Sequence, residues 1–387
     1  MRIASASAKV LCLAGVTLLS ACVTTTGPGG SGGRRDASLA NRDFVLHRME
    51  TASKAMKANR KSEAALALDE TISSIESVFG FDEAAAKARS TWHEEGCKVF
   101  KGEPYERAMA YYYRGLLYLD QGDVDNARAC FKGGLLQDTI AEETQYRCDF
   151  ALLMMLQYWT SLHLKDADDM AAVRKELAAV RPALRLPPDG HNVLFLAETG
   201  TSPRKLPDGV GGYKLVYRRG KYFTETKARL VLGDTGGRPM QQVENIFFQA
   251  TTRGGRVVDS ILEGKAVFQQ NMTDIGKRLS DMGNTAVVLA PMSRGHTAKW
   301  GNIGAGLSIL GAGMQLVAMN AKPRADTRYW HGLPDAVHAS TARLPAGTHS
   351  GTIQFLDRSG RLVPGLSKTF TVSVKVGHPA LVWVSAR

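Results

Sequence analysis

A chain of 387 residues is long enough for two or three hydrophobic cores, and its formal charge of +12 is unevenly placed. Residues 1–21 carry +2, residues 22–182 carry −3 and residues 183–387 carry +13, so the basic character belongs to the second half. The five cysteines form neither a CxxC pair nor a Cys/His spacing, which argues against a zinc site, and no GxSxG, HExxH or GxxxxGK run supplies the usual carriers of acyl transfer, zinc hydrolysis or nucleotide handling. No metal and no cofactor is expected, and the chain does not read as an enzyme.

The chain opens with Arg2 and Lys9, an apolar run from Val10 to Leu19, and then Leu19-Ser20-Ala21-Cys22. Ten apolar residues are too few to span a bilayer, so residues 1–21 read as a cleaved export signal. The small residues before Cys22 match the bacterial lipoprotein signal, in which that cysteine becomes the acylated first residue. Val23 follows it in place of Asp, which by resemblance to enterobacterial sorting points to the outer membrane and a periplasm-facing, lipid-anchored protein. An exported chain is a poor fit to a nucleic-acid partner, and the basic half favours anionic glycans, lipid headgroups or an acidic protein face. Residues 22–35 form a Gly/Ser/Thr tether.

Residues 36–182 read as helical. Ala37 to Ala58 and Ser62 to Val78 make a first hairpin, and Phe81 to Val99 a further helix. Lys101 to Asp138 reads as a tetratricopeptide-type (TPR) helix pair, with Gly115 as the small residue of its first helix, Tyr111 and Tyr118 at the aromatic positions, Gly122 in the turn, and Ala127 and Phe131 packing from the second helix. Ala64 and Leu68 repeat Ala127 and Phe131 at an offset of 63 residues. In such a unit Met109, Tyr112, Leu116, Leu119 and Asp120 would line a concave partner-binding groove. Tyr111, Tyr112 and Tyr113 cannot all point inward, so one faces a partner, a neighbouring helix or water. Glu142 to Leu164 and a helix capped by Asp166 or Asp168 follow, stopped at Pro182. Cys97, Cys130 and Cys148 remain as an odd set, with a disulfide between two of them left open.

Residues 183–387 read as a basic, β-rich, sandwich-like domain, giving an α+β chain overall. Strands are expected at Val193 to Ala197, Lys214 to Tyr217, Lys227 to Leu232, Asn245 to Thr251 and Thr285 to Ala290. Thr348 to Asp357, Thr369 to Val376 and Ala380 to Val384 should form a terminal antiparallel sheet. Helices are expected near 261–282 and 301–320; the second is uncharged, and is read as a buried Gly/Ala helix, with membrane insertion as the other reading. Arg204, Lys205, Arg218, Arg219 and Lys221, with interleaved tyrosines, are candidates for gripping an anionic ligand, against the alternative of a strand edge guarded by charge. Gly233-Asp-Thr-Gly-Gly237 resembles the nucleophile loop of trypsin-like proteases with Thr in place of Ser, and reads better as a turn.

The segments Phe100-Lys-Gly-Glu-Pro-Tyr-Glu-Arg107, Asn192-Val-Leu-Phe-Leu-Ala-Glu-Thr-Gly200 with Ser202-Pro203, Ala325-Asp-Thr-Arg-Tyr-Trp330 with Leu333-Pro334, and Leu344-Pro345-Ala346-Gly347 together resemble a family of proteobacterial TPR-like lipoproteins. That resemblance brings no known reaction with it, and implies a periplasmic face, a helical-repeat module and membership in an envelope-building machine. The expected role is a scaffold that binds envelope proteins through the TPR-like groove. The alternative is a module that holds peptidoglycan or an anionic polysaccharide through its basic half.

Overall fold

The computed structural model describes residues 42–79, 99–139, 149–208, 214–233, 236–252 and 326–387. The signal peptide, Cys22, the tether, most of the helix expected over 81–99, Cys97, Cys148, the helices expected near 261–282 and 301–320 and the strand expected at 285–290 lie outside the described residues.

Among the described residues, helices come first, paired as hairpins, and β-sheets with a short helix follow, an α+β fold in two parts. The helices are α1 (Phe44–Lys57), α2 (Lys61–Phe79), α3 (Pro104–Gln121), α4 (Val124–Thr139), α5 (Ala151–Leu164) and α6 (Ala167–Val180). In α1 the buried side chains Val45, Met49, Ala52 and Met56 recur every three or four residues and form one apolar stripe. Helix α5 is apolar on every side and buried throughout Ala151 to Ser161, whereas α6 buries only Val173 and Leu177 and closes the outside. Asp166 caps α6 by accepting the Asp169 N–H at 3.0 Å, the first of the two aspartates considered for that role.

α3 and α4 pack against each other as a helix pair. Ala127 and Phe131 are fully buried, as are Ala64 and Leu68 in α2. A Cβ at Gly115 would lie 2.3 Å from the Phe131 ring, so only glycine admits that ring against the helix. Gly122, at φ 79°, ends α3 in the left-handed conformation.

The strands are β1 (Val193–Thr199), β2 (Arg204–Asp208), β3 (Lys214–Arg218), β4 (Lys227–Leu232), β5 (Arg238–Pro239) and β6 (Gln241–Asn245). After the short helix α7 (Ile246–Thr252) come β7 (Ala336–Ala342), β8 (Gly347–Leu356), β9 (Lys368–Val374) and β10 (Ala380–Ser385). One four-stranded sheet runs β10-β1-β7-β6, a second runs β5-β4-β8-β9, and β2-β3 is a separate ribbon. Every residue of β1 is buried because both its faces are covered. Leu194 and Leu196 join the helical core, while Val193, Phe195 and Ala197 join Ile353, Phe355 and Val372 of the second sheet. Helices, mixed sheet and antiparallel sheet are thus three layers, and the composition shift near Pro182 changes the type of element without separating the cores.

Three expectations need correction. The strand expected over Asn245 to Thr251 is instead the end of β6 at Asn245 followed by helix α7, because the Asn245 side chain accepts the Phe248 N–H at 3.0 Å and caps a helix. β10 does not extend the terminal sheet of β8 and β9 but pairs parallel with β1. β2, β5, β6 and β7 were not expected, β7 because its Ala-Val-His-Ala-Ser-Thr-Ala run carries little hydrophobic contrast.

Candidate functional site

The Gly102-Glu-Pro-Tyr-Glu-Arg107 motif builds the N-terminal end of α3. Pro104 occupies the first turn, where its missing N–H costs nothing, and the Glu106 carboxylate reaches back to the Glu103 N–H at 2.7 Å. Arg107 folds onto the Gly102 carbonyl at 2.9 Å and the Gln137 side chain at 2.8 Å. Glu106 is entirely buried, and its second oxygen accepts the Trp330 N–H at 2.7 Å. Lys205 from β2, also buried, bridges Glu103 at 2.9 Å and Glu106 at 3.3 Å. Burial pushes the Glu106 carboxyl above its ordinary range, and Lys205 opposes that push.

Residues 326–333 lie as a strap along α1. Arg328 pairs with Asp43, the His331 N–H donates to Glu50 at 2.6 Å, the Trp330 indole N–H to Ser53 at 2.5 Å, and Lys57 donates to the Gly332 carbonyl at 3.2 Å. Ser202 donates to the Trp330 carbonyl at 2.6 Å. Three of the resemblance segments, around 100–107, 202–203 and 325–333, therefore meet at one buried polar junction whose charges are spent on one another.

Two further buried carboxylates join sheet to helices. Glu198 of β1 accepts the Trp383 indole N–H at 3.0 Å and the Tyr113 hydroxyl at 3.2 Å, and burial raises it to about 7. Glu244 of β6 accepts the Leu152 N–H at 3.2 Å, closing the N-terminus of α5, and burial raises it also to about 7.

The expected groove residues are mostly core residues, which corrects their assignment as an open binding surface. Met109, Tyr112, Leu116 and Leu119 are at most 3% exposed. The chain's own sheet and strap fill that face, with Trp330 and Trp383 packed edge-on to Tyr113 at 5.7 and 6.2 Å. All three tyrosines of the triplet are buried, and Tyr111 is the one that faces neighbouring helices, its side chain against Gly133 and Gly134 of α4 and its hydroxyl donating to Glu76 of α2 at 2.8 Å. Asp120 alone of the five stays accessible, paired with Lys61 at 2.7 Å. One opening survives at this end of α3, a cleft of about 270 Å³ between Met56, Lys61, Leu116 and Asp120 on the helical side and β9 and β10 on the other.

Of the anion candidates, Lys205 is withdrawn into the junction with Glu103 and Glu106, which corrects its assignment. Arg219 pairs with Asp335 at 2.7 Å and stacks over Phe247, while Arg204 donates to the Arg219 carbonyl at 3.2 Å. Arg218 and Lys221 are exposed, and Arg218 stands directly across the β2–β3 ribbon from Arg204. Gly233 turns the chain after β4 at φ 56°; Asp234 and Thr235 lie outside the described residues. Cys130 is a free thiol that burial raises to about 11, so it is not a poised nucleophile. Among the described residues no His, Cys, Asp and Glu cluster is arranged to hold a metal ion, and no helix is long and apolar enough to cross a membrane.

What sequence reasoning missed is the role of Glu103, Glu106, Glu198, Glu244 and Trp330 in joining the two parts. The signal for Glu103 and Glu106 was present, since Glu-Pro-x-Glu is a capping-box pattern at a helix start. No protein-family model, curated protein or solved structure matches the chain.

Proposed function

We propose that this chain is a lipid-anchored envelope protein, attached through Cys22 to the periplasmic face of the outer membrane, that works as a protein-binding scaffold. The partner surface is the cleft at the C-terminal end of α3. The observation that carries this reading is that Leu116 and Asp120, alone among the five groove candidates, still line an opening, now completed by β9 and β10. The buried charges at the other end of α3 support a structural role for the motif, because each is spent on a partner inside the protein. A photoreactive amino acid at Asp120 in intact cells is expected to yield a discrete adduct with another envelope protein. The scaffold reading falls if the lipidated, folded chain yields none.

A second reading has its own observation. Arg204 and Arg218 face each other across a two-stranded ribbon, an arrangement that like charges disfavour and an intervening anion relieves. Peptidoglycan or another anionic polysaccharide would meet that need, with Arg219 and Lys221 beside it. The reading expects the full chain to cosediment with sacculi at low salt and to be released at about 1 M salt, where the screening length is about 3 Å.

A further inference from the structure

Edge strands that stay unpaired are hazards, and proteins guard them with shortness, charge, proline or a bulge. In this molecule β5 has two residues, Arg238 and Pro239. At the far edge of the mixed sheet, β6 is interrupted by a bulge between Gln242 and Glu244. β9 begins with Lys368. β10, the other edge of the mixed sheet, reads Ala-Leu-Val-Trp-Val-Ser, six residues with no charge, no proline and a regular register along β1.

The parallel pairing fixes which backbone groups of β10 are free. The Ala380 N–H donates to the Asn192 carbonyl at 2.8 Å and the Ala386 N–H to the Glu198 carbonyl at 3.0 Å, so the even-numbered residues turn their N–H and C=O toward β1. Leu381, Trp383 and Ser385 turn theirs away, and no described residue pairs with them through the backbone. Leu381, Val382 and Trp383 in succession line the cleft. Side chains alternate between the faces of a strand, so three consecutive residues meet one cleft only when the strand presents its edge. Two consecutive residues of β9, Phe370 and Thr371, line it in the same way.

We propose that the edge of β10, unpaired among the described residues, takes up an extended segment of another polypeptide, which adds to the mixed sheet beside β10 within this cleft. The proposal rests on the reading of the cleft as the partner surface and specifies how the partner is held. Main-chain hydrogen bonds to Leu381 and Trp383 give the affinity. Alternate side chains of the incoming strand continue the row of Leu381 and Trp383 toward Leu116 and Leu117, so that row is apolar; the segment carries little charge, because Lys61 and Asp120 already neutralise each other.

The test places a photoreactive amino acid at Thr371 in the full-length lipidated chain in intact cells, with and without Leu381→Pro. Proline at 381 removes an outward N–H and leaves the β1 ladder intact, whereas Val382→Pro breaks the ladder and serves as the unfolding control. The expected result is an adduct mapping to one segment of a different protein, reduced at least tenfold by Leu381→Pro while the melting temperature holds. Should Leu381→Pro melt early, Lys61→Trp, which fills the cleft from the helical wall, replaces it. An adduct from Thr371 and Asp120 that survives Leu381→Pro overturns strand addition and leaves the scaffold reading standing. No adduct from either position overturns both, and an adduct with a second copy or with any other segment of the same chain, residues 23–35 and 253–325 included, overturns the separate partner.

Discussion

The two ends of α3 have opposite fates. At the N-terminal end Glu103, Glu106 and Lys205 are sealed in the interior with Trp330 laid across them; at the C-terminal end Asp120 and Lys61 form a half-open pair beside a cleft. The same helix carries a charged cluster at each end, yet only one is available to a partner. Burial, and not residue type, separates the two clusters, and substitutions along α3 should trace a gradient from one end to the other.

The largest effect belongs to the sealed end. Lys205→Met strips a cation from two buried carboxylates, and removing one partner of a buried ion pair costs about 3–5 kcal/mol because the remaining charge cannot be hydrated. Urea denaturation should register that loss. A replacement within about 1 kcal/mol of the native chain would erase the contrast between the ends.

Midway along α3, Tyr113 meets Glu198, and here the contrast is set by pH. Glu198 and Glu244 rise from 4.5 to about 7 through burial, so the folded protein holds their protons where the unfolded chain has released them. Their contribution is fully present below about pH 4.5 and is lost as pH climbs through 7, on the order of 3 kcal/mol for each group. Melting temperature should therefore fall between pH 5 and 8, and Glu198→Gln should flatten part of that fall while Glu244 keeps the remainder.

Closer to the open end, Gly115→Ala tests the repeat packing. The added methyl would meet the Phe131 ring at 2.3 Å, and overpacking of this kind costs about 1–3 kcal/mol. A thermal melt no lower than that of the native chain would mean that α4 shifts freely and that the helix pair is looser than its burial indicates.

Much of the fold was legible because it is written locally. The period of α1, the capping box and proline of α3, and the alternation of β4, whose bounds Lys227–Leu232 coincide with expectation, depend on neighbours in sequence. The site was less legible because whether Met109 and Tyr112 face a groove or a core depends on Trp330 and Trp383, more than 200 residues away. Periodicity tells which face of α3 is apolar and is silent on what covers it. The same limit explains β10: its run of β-branched and aromatic residues marks it as a strand, but its choice of β1 over β9 is a long-range contact. Lys205 looked like a member of a basic surface because sequence shows charge and hides burial.

The smallest effect is expected where the molecule is open. Lys61 and Asp120 are 48% and 32% exposed at the side chain, and a pair in that setting contributes no more than about 1 kcal/mol, since water solvates both partners once they separate. Asp120→Ala should leave the melting temperature nearly unchanged, in contrast to Lys205→Met at the other end of the same helix. If Asp120→Ala instead destabilises the chain by several kcal/mol, the pair is part of the architecture and the cleft loses its charged wall as a binding feature. A stable Asp120→Ala chain with weakened photocrosslinking from Thr371 would separate binding from folding at this end of α3, a separation that the buried end does not permit.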